Sequence, residues 1–214
     1  MVSKKLIILK KHILYNKKKY TEEEFFEIAN EINNNIEIII ADDSIFISKY
    51  NLSDNNVEEF IDNIMKNIES NNKNLLTDYI FNKKEKILYL YSINAGKYIN
   101  KLATGKRELK VVPIQFYIRK LLRFYLFNKK EVLILVKVLD TSYSIFYDKG
   151  YITYCSLIDN DKETLESEIL KFNKNIEVII DNNLLQFISS EINQEYKIHV
   201  KSIGRNISEK IYKI

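Results

Sequence analysis

Short apolar runs separated by polar turns predict most of this chain as β-strands joined by a few helices. Before residue 130, the basic residues 16–20 are predicted as a turn, and strands are predicted at residues 5–9, 12–15, 36–41, 45–50, 75–81, 87–93 and 111–112. After residue 130, strands are predicted at residues 131–138, 143–147, 151–157, 176–180 and 198–203.

Helices are predicted where apolar residues recur every three or four positions behind a capping residue. Thr21 and Glu24 form a capping-box pattern, and Asp54 and Asp161 are the predicted caps of two further helices. Shorter helices are predicted at residues 98–102 and 184–192, while no regular element is predicted for the tail 206–214.

Residues 114–127 form the most apolar predicted helix, and Pro113 fits its first turn because proline lacks the N–H that would be unpaired there. A helix that is apolar nearly all round is typical of the centre of a fold. A face that docks a partner or a membrane surface is the alternative interpretation.

The order of the elements repeats along the chain. Each part opens with hairpin strands and continues with helix, strand and helix, and the junction falls near residues 128–130. Asp148, Lys149 and Gly150 give the second part a clear hairpin turn. The sequence therefore predicts an α/β protein of two similar βββαβα-type halves with mixed sheets, at residues 1–128 and 129–214.

Composition narrows the class of protein only a little. The net charge of +4 is too small to require a nucleic-acid partner. Cys155 is the one cysteine, so no internal disulfide forms, and its place in a predicted strand favours a buried thiol. No signal peptide is visible, and no segment reaches the roughly 20 apolar residues of a membrane span, so we expect a cytoplasmic protein.

Candidate chemistry is sparse. There is no Walker pattern and no Gly-x-Gly-x-x-Gly, and the lone pairs Gly96-Lys97 and Gly105-Lys106 are predicted as helix edges or turns. His12 and His199 stand apart in predicted strands, which argues against zinc and against a catalytic triad. We therefore predict no catalytic, cofactor-binding or metal-binding residue.

Order and spacing over residues 36–203 resemble the actin-like assembly proteins of type IV pili, the PilM family, and the related cytoplasmic domain of the type II secretion protein GspL. The residues that carry the resemblance are Ala41-Asp42-Asp43-Ser44, Leu75-Leu76-Thr77-Asp78-Tyr79, the strand 86–93, Val111-Val112-Pro113 ahead of a long helix, and the hairpin at Gly150. The resemblance implies a reduced actin-like, ribonuclease-H-like fold.

The chain departs from actin-like ATPases where those proteins bind nucleotide. The family places Asp-x-Gly at the first hairpin of each half and a glycine-rich loop near the adenosine. Here the corresponding segments are Leu9-Lys10-Lys11-His12, Lys137-Val138-Leu139-Asp140 and Asp181-Asn182-Asn183. The resemblance therefore implies a degenerate nucleotide site without a cofactor.

The function implied by the resemblance is that of a cytoplasmic, non-catalytic scaffold in a pilus or type II secretion-like assembly platform. Such a protein would bind the tail of an inner-membrane partner and face a motor ATPase, reaching the membrane only through its partner. No nucleic acid is expected, and a homodimer is left open.

Two rival hypotheses remain. An enzyme or nucleotide-binding protein of the same superfamily would use carboxylates at strand ends, and Asp42, Asp43, Asp140 and Asp181 are the candidates, although no third carboxylate follows at matched spacing. A nucleic-acid-binding module would use the lysine clusters at residues 17–20 and 83–86.

Overall fold

Strands and helices alternate through the computed structural model, which describes residues 4–29, 32, 35–41, 43–52, 57–72, 74–103, 108–126 and 130–212. The strands are β1 Lys4–Ile8, β2 Ile13–Tyr15, β3 Lys18–Tyr20, β4 Asn35–Ile40, β5 Phe46–Asn51, β6 Leu75–Asn82, β7 Ile87–Asn94, β8 Glu108–Pro113, β9 Glu131–Val138, β10 Thr141–Asp148, β11 Tyr151–Ile158, β12 Glu177–Asp181 and β13 Lys197–Lys201. The helices are α1 Glu22–Ile28, α2 Val57–Asn71, α3 Gly96–Ala103, α4 Ile114–Leu121, α5 Arg123–Leu126, α6 Lys162–Leu170, α7 Ser190–Glu195 and α8 Ile203–Tyr212, with a 3₁₀ helix at Asn182–Phe187.

Two five-stranded sheets share one strand order. The first sheet runs β3-β2-β1-β4-β8 and the second sheet runs β11-β10-β9-β12-β13. In each, three antiparallel strands are followed by two strands parallel to the opening strand. The α/β class and the two similar halves with mixed sheets are thus confirmed.

A third sheet is inserted in the first half. The chain leaves β4, forms the antiparallel inserted sheet β5-β7-β6 with α2, passes through α3, and returns to the first sheet as β8. Helix α2 covers one face of the inserted sheet, where Leu88 and Leu90 are buried with Ile61. The opposite face carries Tyr89 and Tyr91, which enter the main core.

The hairpins β2–β3 and β10–β11 are each closed by a two-residue turn with positive φ at both residues. Asn16 and Lys17 have φ of 49° and 63°, and Lys149 and Gly150 have φ of 49° and 85°. Positive φ at both central residues suits the twist of a two-residue hairpin. The prediction of a turn throughout residues 16–20 is therefore wrong, because the turn needs only two residues and Lys18–Tyr20 forms a strand.

The predicted caps agree with the structure where it describes them. The Glu24 N–H donates to Thr21 Oγ1 at 3.2 Å, and the Thr21 N–H donates to Glu24 Oε2 at 2.8 Å. The Asp161 carboxylate likewise accepts from the Thr164 N–H at 2.8 Å. The predicted cap Asp54 lies outside the described residues.

Three helix predictions need correction. The helix expected over residues 114–127 breaks at Leu122, which has φ of −92° and ψ of 6°. The helix expected over residues 184–192 divides into a 3₁₀ helix and α7, because Ser189 caps a new helix by accepting from the Ile192 N–H at 3.4 Å. Residues 206–212 of the tail, for which no element is predicted, belong to α8, and the preceding strand ends at Lys201.

The main hydrophobic core is built from both halves. Buried Ile39, Ile114 and Ile118 from the first half pack in one cluster with Ile134 and Ile145 from the second half. Burial of α4 against this core agrees with the prediction of a central helix. The expected boundary between residues 128 and 129 lies outside the described residues.

Polar and aromatic contacts also join the halves. The Tyr147 hydroxyl donates to the Gln115 carbonyl at 3.2 Å across the halves, and within the first half the Gln115 side chain donates from Nε2 to the Asp43 carbonyl at 2.7 Å. Tyr89 and Tyr151 stack with ring centroids 4.8 Å apart. These contacts fix the inserted sheet and α4 against the second sheet.

Gly204 at the start of α8 provides a test of this packing. A Cβ at this position would lie 1.7 Å from the Lys137 carbonyl oxygen and 2.0 Å from Asp181 Oδ2. We expect Gly204→Ala to lower the free energy of unfolding by about 3 kcal/mol, as overpacking does. Urea unfolding measures this loss, with exposed Gln186→Ala as the control. An alanine variant as stable as the wild type would contradict the packing described for α8.

Candidate functional site

His12, His199 and Cys155 occupy positions that do not form a catalytic arrangement in the described part of the chain. His199 is on β13 with its Nε2 3.6 Å from Glu177 Oε2, and Lys197 Nζ lies 3.2 Å from Glu177 Oε1. His12 follows the turn between β1 and β2. Burial raises the pKa of the Cys155 thiol to about 12, against the effect of hydrogen bonds from the Ile45 backbone and the Gln115 side chain. A thiol with this pKa is protonated at neutral pH and is a poor nucleophile.

The candidate carboxylates lie in different settings. Asp43 accepts from the Ser44 N–H at 2.8 Å, and burial raises the pKa of Asp43. Asp140 is exposed in the turn between β9 and β10, and Asp181 is buried at the end of β12. Asp42 lies outside the described residues. Among the residues that the structure describes, no group of three or more His, Cys, Asp or Glu side chains could hold a metal ion.

Asp181 occupies the start of the last helix. Its Oδ2 accepts from the Gly204 N–H at 2.8 Å, so the carboxylate caps α8. Burial raises the pKa of Asp181, and backbone N–H groups, that of Gly204 first, oppose the rise. A polar hollow of about 640 Å³ adjoins this cap and is lined by Lys137, Leu139, Asn182, Asn183, Gln186, Gly204, Arg205 and Ser208.

The glycine–lysine pairs and the lysine clusters, where the structure describes them, lie at a helix start and on β-hairpins. Gly96 opens α3, as expected of a helix edge, while the Gly105-Lys106 pair lies outside the described residues. The lysines at 17–19 are exposed on the β2–β3 hairpin of the first sheet. Those at 83, 84 and 86 are exposed on the β6–β7 turn of the inserted sheet. The two lysine clusters thus lie on different sheets.

A cleft lies at the carboxyl ends of β1 and β4, where ligands commonly bind in open α/β sheets. It has a volume of about 320 Å³ and its lining includes Lys10, Asp43, Asn94 and Leu157. Glycine is missing from its described lining residues. The turn that follows β1 is closed by the Leu9 N–H, which donates to the His12 carbonyl at 3.0 Å.

A second, mostly apolar groove lies between the inserted sheet and the first sheet. Its volume is about 360 Å³. Strands β6, β7 and β8 supply most of its walls. The lining residues are Ile45, Leu76, Thr77, Asp78, Ile80, Tyr91, Ser92, Ile93, Val111, Val112, Pro113 and Phe116. We refer to it below as the β6–β8 groove.

The walls of the β6–β8 groove are the open edges of two sheets. In the described part of the chain, β6 pairs with β7 alone and β8 pairs with β4 alone. Each strand therefore has one edge whose N–H and C=O groups have no partner strand. Such edges are templates for a further strand.

The floor of the groove is aromatic. Tyr91 from β7 and Phe116 from α4 meet edge to face, with ring centroids 5.0 Å apart and an interplanar angle of 86°. Tyr91 is only 5% exposed. An apolar floor between two strand edges can bury side chains of an extended peptide while its backbone pairs with an edge.

The groove was not located from sequence, although one signal was available. Asp78 interrupts the otherwise favourable strand sequence of β6, and aspartate is depleted in strands. The strand itself was predicted. The edge position of β6 depends on its pairing with β7, and the groove depends on β8 rejoining the first sheet. Neither long-range pairing can be predicted from the local sequence pattern.

Comparisons with known proteins identify the fold. No protein-family model matches the chain, and no curated protein matches it. A Bacteroides thetaiotaomicron protein with an actin-like ATPase fold and unknown function aligns with a TM-score of 0.54 and 10% identity, over 99% of this chain and 95% of that chain. A chain of the PilM–PilN type IV pilus biogenesis complex aligns with a TM-score of 0.56 and 9% identity, over 99% of this chain and 94% of that chain.

These likenesses, together with the repeated strand order, show an actin-like fold in which each half is ribonuclease-H-like. The chain is similar in structure to a component of the PilM–PilN complex. None of the helices in the described ranges is both long enough and apolar enough to cross a membrane.

The buried Asp181 carboxyl gives the protein a pH-dependent stability. Because its pKa is raised in the folded state, the native protein keeps this proton at pH values where the unfolded chain has lost it. The contribution of Asp181 to the free energy of unfolding therefore falls as pH rises above the ordinary value of 3.8 and through the folded pKa. Asp181→Asn keeps an oxygen that can accept from Gly204 and removes the titration.

We expect the stability of Asp181→Asn relative to the wild type to increase between about pH 4 and about pH 7. Urea unfolding at both pH values measures it, with the exposed Asp140→Asn as the matched control. A difference that stays constant with pH would show that Asp181 does not titrate in this way.

Proposed function

We propose that this protein is a non-catalytic scaffold that captures an extended segment of another protein in the β6–β8 groove. The observation that carries the proposal is the meeting of two open strand edges across one apolar groove. A strand added there gains backbone hydrogen bonds from an edge and buries side chains on Tyr91 and Phe116. No reactive side chain is needed for this activity.

The partner in this proposal is an inner-membrane protein with a short cytoplasmic tail, in a pilus or type II secretion-like assembly platform. The structural similarity to a chain of the PilM–PilN complex supports this assignment. The protein would act in the cytoplasm and reach the membrane only through the partner, and its other surfaces would face a motor ATPase. ATP hydrolysis and force generation during assembly would then be carried out by the partners.

Site-specific photo-crosslinking in cells tests the partner. A diazirine analogue of leucine replaces Leu76 in the groove, and the matched control carries it at Leu170, which is 56% exposed on α6 of the second half. We expect Leu76 alone to crosslink to a protein with a membrane-spanning segment, at residues on its cytoplasmic side. Equal crosslinking at both positions, or a Leu76 crosslink confined to soluble proteins, would contradict the proposal.

Nucleotide is not part of the proposed activity. Phosphate cradles depend on glycine, whose missing side chain lets backbone N–H groups close on the anion. The described lining of the cleft beside Lys10 and Asp43 is free of glycine. The Asp181 carboxyl group is engaged in capping α8 at the second sheet.

We therefore expect about 1 mM MgATP to leave the thermal unfolding midpoint unchanged. A ligand at about 100 times its Kd adds about 2.7 kcal/mol to the free energy of unfolding, which raises the midpoint by a few degrees. Differential scanning calorimetry with and without MgATP measures the effect. A rise of several degrees would contradict a nucleotide-free scaffold.

A further inference from the structure

We propose that the β6–β8 groove selects extended segments with the pattern apolar–x–basic–x–apolar, in which the basic side chain pairs with Asp78. The inference rests on the proposed function and specifies which peptides the groove accepts. Its evidence is the register of β6 and the placement of one carboxylate among apolar neighbours.

Strand register shows which β6 side chains face the groove. Leu76 lies opposite Ile93, and Asp78 lies opposite Tyr91, both of which line the groove. Directly opposed residues share a face of an antiparallel pair, and alternate residues along a strand do the same. Leu76, Asp78 and Ile80 therefore share the face of Tyr91, whereas Tyr79 lies on the face of Leu90, which packs against α2. Thr77 belongs to the α2 face as well, although it also lines the groove.

The three side chains that face the groove alternate between apolar and charged. Leu76 and Ile80 are apolar and partly buried, whereas Asp78 between them is exposed. Asp78 is the one charged residue among the described lining residues. Its Oδ1 accepts from the Tyr79 N–H at 2.8 Å, which holds the carboxylate close to the strand backbone.

Between the two walls, β6 is the edge without a proline, although its Tyr79 N–H already donates to Asp78 Oδ1 and is not free for an added strand. Pro113 ends β8 and has no N–H to donate, which weakens that edge at its carboxyl end. A peptide paired with β6 would place every second side chain on the groove face, next to Leu76, Asp78 and Ile80 in turn. The apolar side chains enter the groove, and the central position meets a carboxylate.

A basic residue suits that central position. Covering Asp78 with an apolar or acidic side chain would remove water from a charge without providing a partner, which is unfavourable. A Lys or Arg supplies the partner. Cytoplasmic segments beside a membrane span are enriched in Lys and Arg, which agrees with a tail of the proposed kind.

Fluorescence polarisation with three labelled peptides tests the pattern. The probes are Ser-Val-Thr-X-Thr-Val-Ser with acetylated and amidated ends, where X is Lys, Gln or Glu. We expect the Lys peptide to bind about five- to tenfold more tightly than the Glu peptide, the scale of a partly screened ion pair gained against a repulsion. The preference should weaken as salt is raised.

Charge reversal in the protein completes the test. Asp78→Lys should reverse the preference so that the Glu peptide binds more tightly. The matched control is Asp62→Lys, at an exposed position on α2, which packs on the opposite face of the inserted sheet. The control should keep the wild-type preference.

The outcomes separate the two proposals. Equal binding of the three peptides, or a preference that Asp78→Lys leaves unchanged, would overturn the selection of a basic residue and leave peptide capture standing. A failure of all three peptides to bind the wild-type protein up to millimolar concentration would overturn both.

Discussion

An unpaired strand edge leaves a row of backbone N–H and C=O groups without a partner strand, and proteins usually cover or blunt such edges. In this protein two such edges, those of β6 and β8, lie on either side of one apolar groove, and β8 ends in Pro113. The arrangement follows from the insertion of β5, α2, β6 and β7 between β4 and β8. The chain must leave the first sheet and return to it, so the inserted sheet lies beside the edge on which β8 closes.

The rest of the fold holds these two edges in place. Helix α4 follows β8 directly and supplies Phe116 to the groove floor, while its buried Ile118 packs in the core shared with the second sheet. The Tyr147 hydroxyl bonds to the Gln115 carbonyl, and Tyr151 stacks on Tyr89 of the inserted sheet. The second half therefore supports the groove although it contributes none of its described lining residues. This division explains how an actin-like fold could serve as a rigid platform for protein contacts.

Local pattern predicted the strands and the repeated plan because apolar alternation and capping residues act over a few positions. It does not predict β3, because the exposed Lys18 and Lys19 of this edge strand give no apolar alternation. It does not predict α8 either, because Ile203 and Ile207 are buried against core residues that are distant in sequence. The local sequence does not predict a role for Gly204, whose lack of a side chain lets α8 approach Lys137 and Asp181. The groove could not be found for the same reason, since its walls are more than 25 residues apart in sequence.

In the proposed complex, an extended segment adds to the edge of β6. Hydrogen–deuterium exchange of the full chain, with and without the peptide Ser-Val-Thr-Lys-Thr-Val-Ser, measures this at the backbone itself. We expect slower exchange for residues 75–82 when the peptide is bound, with no change in the turns after β1 and β9. Protection confined to those turns, or to the cleft beside Lys10 and Asp43, would place the binding site elsewhere and contradict strand addition at β6.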